Sequence, residues 1–140
     1  RLVDALPKMA DAASNPELRS AFLKHLDQTR GHARILEQIF QQLQCEPKRE
    51  TCDAMKGLVK EGSAVISADG DPTVRDAALI AAGQRVEHYE IAGYGTVRNF
   101  AHQLGLDSIA ESLQHILNQE GETDKLLTQI AESGVNAHAA

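Results

Sequence analysis

Two carboxylates three residues apart, Glu87 and Glu90, lie in an otherwise apolar stretch of the chain, with His88 between them. The residues before the trio read DAALIAAG and those after it read IAGYGTV. A buried ionised carboxylate without a partner is strongly destabilising, so such groups end up protonated, paired or bound to metal. The pair therefore indicates a chemical role for this stretch.

Helical phase shows where these side chains point. At about 100° per residue, Glu87 lies on the same face as Ile80, Ile91 and Tyr94, and Glu90 lies on its edge. His88 falls beside that face. The two glutamates are therefore expected to point into the protein, and His88 is not.

Two further segments carry polar side chains on apolar faces. Glu120 is centred on the apolar face of residues 108–133, and Asp124 lies one turn further along. His25 and His32 lie centrally on the apolar face of residues 16–43, and Gln28 lies near its edge. Three helices are thus predicted to bring metal-competent side chains to one interior.

Four carboxylates facing one another would repel strongly, and the interior offers few cations. A pair of divalent metal ions resolves that conflict, because inward carboxylates and histidines in a helical bundle bind di-iron or di-manganese. A metal-free network is the alternative, in which Glu87 or Glu90 hydrogen-bonds to Tyr94, His25 or His32.

Helix-breaking residues divide the chain into segments that could position these groups. Asn15, Asp71 and Asp107 are predicted caps, Pro7 a kink, and residues 133–140 a loose tail. The predicted helices cover residues 1–13, 16–43, 51–67, 72–104 and 108–133. This order predicts one all-α domain over residues 1–140, a ferritin-like four-helix bundle with an additional short connecting helix.

Composition excludes several classes of function. The 140 residues carry a net charge of −6 without a basic cluster, which argues against a nucleic-acid partner. No apolar run reaches the roughly 18 residues that span a bilayer, so no membrane partner is expected. No signal peptide is visible. The chain starts without Met inside a predicted helix, so we expect that helix to be truncated.

Cys45 and Cys52 are the two cysteines, with six residues between them. Zinc sites use closer pairs and more ligands. Two free thiols are the favoured interpretation, and a local disulfide across the turn is the alternative.

The sequence also resembles a known family. VRDAALIAAGQRVEHYEIAGYGTV (residues 74–97) is similar to the signature helix of the YciE/YciF family of ferritin-like stress proteins, and residues 5–32, 52–62 and 120–136 fit the same family. The resemblance covers nearly the whole chain. It implies a ferritin-like bundle, a cytoplasmic bacterial stress-response protein, a homodimer and a di-metal centre, without defining a reaction.

Carried over to this chain, the resemblance places ligands at Glu87, Glu90 and Glu120. Where the family has HLEET, this chain reads HLDQT, so a neutral Gln28 replaces the usual glutamate, and His32 follows three residues after Thr29. A glutamate of the family's first helix is expected to lie upstream of Arg1. Both departures imply weaker metal binding, with fewer anionic ligands.

The leading hypothesis is a di-metal carboxylate site for iron or manganese, with redox or ferroxidase-type chemistry. Its expected ligands are Glu87, Glu90, Glu120 and His32, and Gln28 offers a carbonyl oxygen. Asp124 and His25 are expected to orient these groups or to act as alternate ligands.

Two other functions stay open. One is a non-enzymatic helical protein that dimerises or binds a partner and has a degenerate metal site. The other is a subunit of a larger iron-storage shell.

Overall fold

The computed structural model describes residues 1–140 and consists of helices joined by short loops. The helices are α1 (Leu2–Ala12), α2 (Pro16–Gln42), α3 (Asp53–Ser67), α4 (Pro72–Gln103), α5 (Asp107–Ile130) and α6 (Asn136–Ala139), with a π-helical turn at Ala131–Val135 between the last two. The all-α prediction is confirmed.

Local sequence signals fix the starts of the two longest helices. The Asn15 side chain accepts hydrogen bonds from the backbone N–H groups of Glu17 and Leu18, at 2.8 and 3.0 Å. Asp71 accepts one from the N–H of Thr73 at 2.8 Å. In both cases a proline follows the cap, where its missing N–H breaks no helical hydrogen bond. Both predicted caps are confirmed.

The helices form the predicted bundle. Helix α2 packs against α1 and α5, and α4 packs against α5 and α3. The short connecting helix α3 also contacts α1, so it lies between α1 and α4. This arrangement brings the middle parts of α2, α4 and α5 to the interior.

The apolar core has two parts. The larger one joins α1 to the first halves of α2 and α4 and the last part of α5, with Leu18, Phe22 and Leu79 among its most buried members. The smaller one contains Ile39 of α2 and Ala101 of α4, with Ile109 and Leu113 of α5. Along these three helices, the buried histidines and glutamates lie between the two apolar parts.

A glycine allows close packing just before this polar region. A Cβ atom at Gly83 would lie 3.2 Å from Leu127 Cδ1 and 3.3 Å from Phe22 Cε1. That is tighter than ordinary van der Waals contact. Gly83 therefore lets α4 approach α2 and α5 one turn before Glu87.

Two local predictions are wrong. Asp107 is not the cap of α5, because Leu106 occupies that position and its carbonyl accepts from the N–H of Ala110 at 2.9 Å. Asp107 is instead the first residue of the helix, where its charge favours the helix dipole. The end of the chain is helical rather than loose: Val135 is buried, and the Thr73 hydroxyl donates to the carbonyl of His138 at 3.1 Å.

None of the helices combines the length and the apolar character that crossing a membrane requires.

Candidate metal centre

Four side chains from three helices meet in the polar region of the bundle. They are His25 of α2, Glu87 and Glu90 of α4, and Glu120 of α5, and each offers one ligand atom within 4.8 Å of the others. His25, Glu87 and Glu120 are at most 2% exposed, and Glu90 is half-buried. We call these four residues the His/Glu cluster.

Within the cluster, histidine nitrogens lie within ion-pair distance of carboxylate oxygens. His25 Nε2 lies 3.2 Å from Glu87 Oε1 and 3.5 Å from Glu120 Oε2. His32 extends the cluster, because its Nδ1 lies 3.1 Å from Glu120 Oε1. One histidine thus contacts two carboxylates, and one carboxylate contacts two histidines.

Several buried atoms of the cluster have no well-directed hydrogen bond. They are His25 Nε2, His32 Nδ1, Glu87 Oε2, Glu90 Oε2 and both carboxylate oxygens of Glu120. Buried polar atoms in native proteins are nearly always paired. These atoms would be satisfied by a cation among them, and oxygen and imidazole ligands suit iron and manganese. The residues therefore fit a metal ion.

Burial is the largest cause of the raised pKa values of Glu87 and Glu90. Burial, aided by the charges of Glu120 and Glu87, raises the pKa of Glu90 to about 8. Burial also raises the pKa of Glu87 to about 7, against the opposing effect of His25. In His25 burial lowers the pKa, but contact with Glu87 and the charges of Glu87 and Glu120 outweigh it and raise the pKa to about 9.

Neighbouring polar groups orient the two histidines. His25 Nδ1 lies 3.0 Å from Thr123 Oγ1, and the Thr123 hydroxyl donates to Gln28 Oε1 at 3.4 Å. His32 Nε2 lies 2.7 Å from Gln119 Oε1. Because an amide oxygen only accepts, the His32 Nε2–H donates to Gln119 Oε1, and Nδ1 faces Glu120 Oε1. Such contacts on the far nitrogen orient a histidine for metal binding.

The structure brings some of the predicted ligands together and leaves others outside the cluster. It brings Glu87, Glu90 and Glu120 together and places His25 inside the cluster, whereas Glu120 is the one carboxylate of the cluster that His32 contacts. Gln28 lies behind His25, with Oε1 3.4 Å from Nδ1.

Asp124 lies outside the cluster. Its carboxylate accepts from Gln84 Nε2 at 3.0 Å and lies 3.2 Å from His88 Nε2. The His88 side chain is 69% exposed, as its helical phase predicts.

The sequence reasoning missed Thr123 and Gln119, which orient the histidines. Thr123 follows Glu120 by three residues and Gln119 precedes it by one, so both lie next to Glu120 on α5. Their closeness in sequence to Glu120, a predicted ligand, is the feature from which they could be predicted.

A separate polar contact lies beside the cluster. Both cysteines are free thiols, so the predicted disulfide alternative is not formed. Cys52 caps α3, accepting from the N–H of Met55 at 3.4 Å, and its sulfur lies 3.0 Å from the Tyr89 hydroxyl. The hydrogen bond with Tyr89, and then the one from Met55, lower the pKa of the Cys52 thiol.

We expect Tyr89→Phe to slow alkylation of Cys52 by iodoacetamide near neutral pH. Removing the hydroxyl removes the hydrogen bond that most stabilises the thiolate, which is the reacting species. Mass spectrometry of the Cys52 peptide over time gives the rate, and exposed Cys45 in the same sample is the control. Equal Cys52 rates in both proteins would contradict the assigned contact.

The fold and the His/Glu cluster together define a class: an all-α bundle with a buried, metal-competent set of carboxylates and histidines. Residues 1–140 match the family described as "Domain of unknown function (DUF892)". The chain belongs to this family, as a close relative independently shows.

That relative is "Protein YciF" of Escherichia coli (strain K12), which is 44% identical over 140 residues, or 99% of this chain and 84% of its own length. Solved structures agree. The E. coli stress protein YciF superposes with a TM-score of 0.92 at 45% identity, covering 96% of this chain and 86% of the other. YcfI of Rhodopseudomonas palustris gives 0.87 at 39% identity, covering 91% and 81%. The predicted family resemblance is confirmed.

Proposed function

We propose that this protein binds a divalent transition metal, iron or manganese, at the His/Glu cluster and acts in a bacterial stress response. The observation that carries the proposal is the set of buried carboxylate and imidazole atoms without hydrogen-bond partners. The relation to a protein described as a stress protein supports the biological setting. The finer proposal, from the family resemblance, is a di-metal site with ferroxidase-type chemistry.

The residues of the site would have different roles. Glu87, Glu90 and Glu120 would supply the negative charge that holds the metal, and His25 a nitrogen ligand through Nε2. Iron or manganese bound there would supply one-electron redox chemistry with O₂ or peroxide. His32 lies where it can accept or return a proton at Nδ1, next to Glu120. Burial of His25, Glu87 and Glu120 strengthens these charge interactions.

Metal analysis tests the proposal. The full chain is incubated anaerobically with Fe(II) or with Mn(II), desalted and measured by elemental analysis. We expect the wild type to retain metal and Glu120→Ala and Glu87→Ala to retain little, because each variant lacks a carboxylate ligand. Glu122→Ala is the matched control, since Glu122 is an exposed acid on the same helix as Glu120. Equal retention in wild type and Glu120→Ala would contradict the proposal.

A specific observation favours a second function. Without metal, the charges of His25 and Glu87 partly compensate each other at 3.2 Å. Gln28 is neutral at a position where the family resemblance implies a glutamate. The bundle could thus serve as a non-enzymatic dimerisation or binding protein with a degenerate site. Absence of bound metal in the wild type, combined with folding that is insensitive to chelators, would favour it.

A further inference from the structure

Three polar side chains lead away from the candidate metal centre between α2 and α5. His25 Nδ1 lies 3.0 Å from Thr123 Oγ1, and Gln28 Oε1 lies 3.4 Å from both of these atoms. His25 and Thr123 are buried, and Gln28 is half-buried at the outer end. We call these three side chains the α2–α5 triad. The sequence predicts that Gln28 offers its carbonyl oxygen to the metal, but the structure places that oxygen against the far nitrogen of His25.

The acceptor at the outer end sets the direction of both hydrogen bonds in the triad. An amide oxygen only accepts, so the Thr123 hydroxyl donates to Gln28 Oε1. The hydroxyl has one proton, so its oxygen must accept from His25 Nδ1–H. Nδ1 therefore keeps a proton, and Nε2 is the nitrogen of His25 whose proton a metal ion would displace.

Nε2 is the nitrogen that faces the carboxylates of the cluster. It lies 3.2 Å from Glu87 Oε1 and 3.5 Å from Glu120 Oε2, and it has no well-directed hydrogen bond. A neutral histidine binds metal through the nitrogen that carries no proton. If the Thr123 hydroxyl donated to Nδ1 instead, the proton would lie on Nε2 and no lone pair would face the cluster. The direction of the triad thus decides whether His25 is a metal ligand or a hydrogen-bond donor to Glu87.

We propose that Gln28 is a positioning residue, which acts through Thr123 to keep a proton on His25 Nδ1 and so presents Nε2 to the metal ion. This inference rests on the proposed metal site and adds a residue that determines the affinity of that site. Gln28 acts as a hydrogen-bond acceptor and is not itself a ligand. A side chain of similar size that accepts poorly therefore cannot replace it.

Methionine and glutamate give a matched pair of replacements at position 28. Both are close to glutamine in size and in helix propensity, but the methionine sulfur accepts only weakly, whereas the glutamate oxygens accept well. We expect Gln28→Met to lower the Mn(II) affinity of the full chain at least about tenfold, as loss of a group that orients a metal-bound histidine does. Gln28→Glu should show no loss. Gln41→Met, the same replacement at an exposed position of α2, is the control and should have no effect.

Thr123 gives a second matched pair. Thr123→Val keeps the branched shape of the side chain and removes the hydroxyl, so the Mn(II) affinity should fall by a similar factor. Thr123→Ser keeps the hydroxyl and should retain the affinity. Circular dichroism checks that each variant is folded. If Gln28→Met does not fold, the comparison of Thr123→Val with Thr123→Ser decides in its place.

Two measurements test the inference. The EPR signal of free Mn(II), which is lost when the ion binds, gives the affinities. In ¹⁵N NMR of the Zn(II)-loaded wild type, we expect a proton on His25 Nδ1, close to the Thr123 methyl group, and none on Nε2.

The outcomes separate this inference from the proposed function. If the wild type does not reduce the free Mn(II) signal, the metal site itself has failed and the inference fails with it. If wild type and Gln28→Met bind Mn(II) equally, the metal site stands and the inference alone is overturned. Equal losses in Gln28→Met and Gln28→Glu also overturn it, because they show that the acceptor is not what matters at position 28. A proton on His25 Nε2 in the Zn(II)-loaded protein overturns it as well.

Discussion

The free energy of unfolding of the metal-free protein is expected to fall by several kcal/mol as the pH rises from about 5 to about 9. In the folded protein the pKa is about 7 for Glu87 and about 8 for Glu90, both above their ordinary value of 4.5. The pKa of His25 is about 9, above 6.5. Between the unfolded and folded values the folded state binds more protons, so stability is lost as the pH rises.

The size of the expected loss of stability follows from the differences in pKa between the unfolded and folded states. One unit of pKa difference corresponds to about 1.4 kcal/mol per group. The three groups interact, so their effects overlap rather than add. Urea denaturation after treatment with a chelator, at several pH values between 5 and 9, measures how the free energy of unfolding changes with pH.

A neutral isostere tests which residue produces the slope. Glu90→Gln removes a half-buried acid whose Oε2 atom is buried without a hydrogen-bond partner. It should stabilise the metal-free protein at high pH and flatten the profile between about pH 4.5 and 8, the interval over which Glu90 takes up its extra proton. Glu122→Gln, at an exposed position, should leave the profile unchanged. A profile that Glu90→Gln does not alter would contradict the assignment.

Bound metal should reverse this trend. Carboxylates and histidines bind metal in their deprotonated forms, so affinity rises with pH. Stabilisation by added Mn(II) is therefore expected to grow from pH 5 to pH 8, and to be smaller in Glu90→Gln at each pH. The same variant would then stabilise the metal-free protein and weaken the metal-bound one. A structural glutamate without a metal role would not show these opposite effects.

The sequence predicts which face of its helix a side chain lies on better than it predicts where that side chain lies along the bundle axis. Helical phase places Glu87, Glu90 and Glu120 on interior faces because it depends only on residues of the same helix. His25 and His32 are seven residues apart, so they share a face and differ by about 10 Å along α2. Which of them meets the glutamates depends on how far α2 is shifted along α4 and α5. That shift is set by packing between helices, and the structure places His25 among the three glutamates.

The same limit applies to Asp76. Asp76 lies eleven residues before Glu87, about 20° away in phase, on the same face of α4. Phase alone predicts another buried acid in the cluster. In the structure Asp76 is 2% exposed but lies at the other end of the bundle, beside the turn between α1 and α2. There it accepts hydrogen bonds rather than facing a cation.

Asp76→Ala is expected to lower the free energy of unfolding by about 3 kcal/mol or more. The carboxylate accepts from the Ser14 N–H at 2.9 Å, the Ser14 hydroxyl at 2.6 Å and the Asn15 N–H at 2.8 Å. All three bonds are charge-assisted, and together they hold the turn that sets α2, and with it His25, against α4. Alanine leaves these three donors without their acceptor.

Graded variants separate the charge from the individual bonds. Ser14→Ala removes the hydroxyl bond alone and should lower the free energy of unfolding by about 1 kcal/mol. Asp76→Asn should fall between the two, since its amide keeps one accepting oxygen and turns a donor towards the turn. Urea denaturation of the metal-free proteins at one pH gives the order. If Asp76→Ala is no more destabilising than Ser14→Ala, the backbone bonds to the turn contribute little, and the position of His25 must be set by the packing of Leu18 and Phe22 instead.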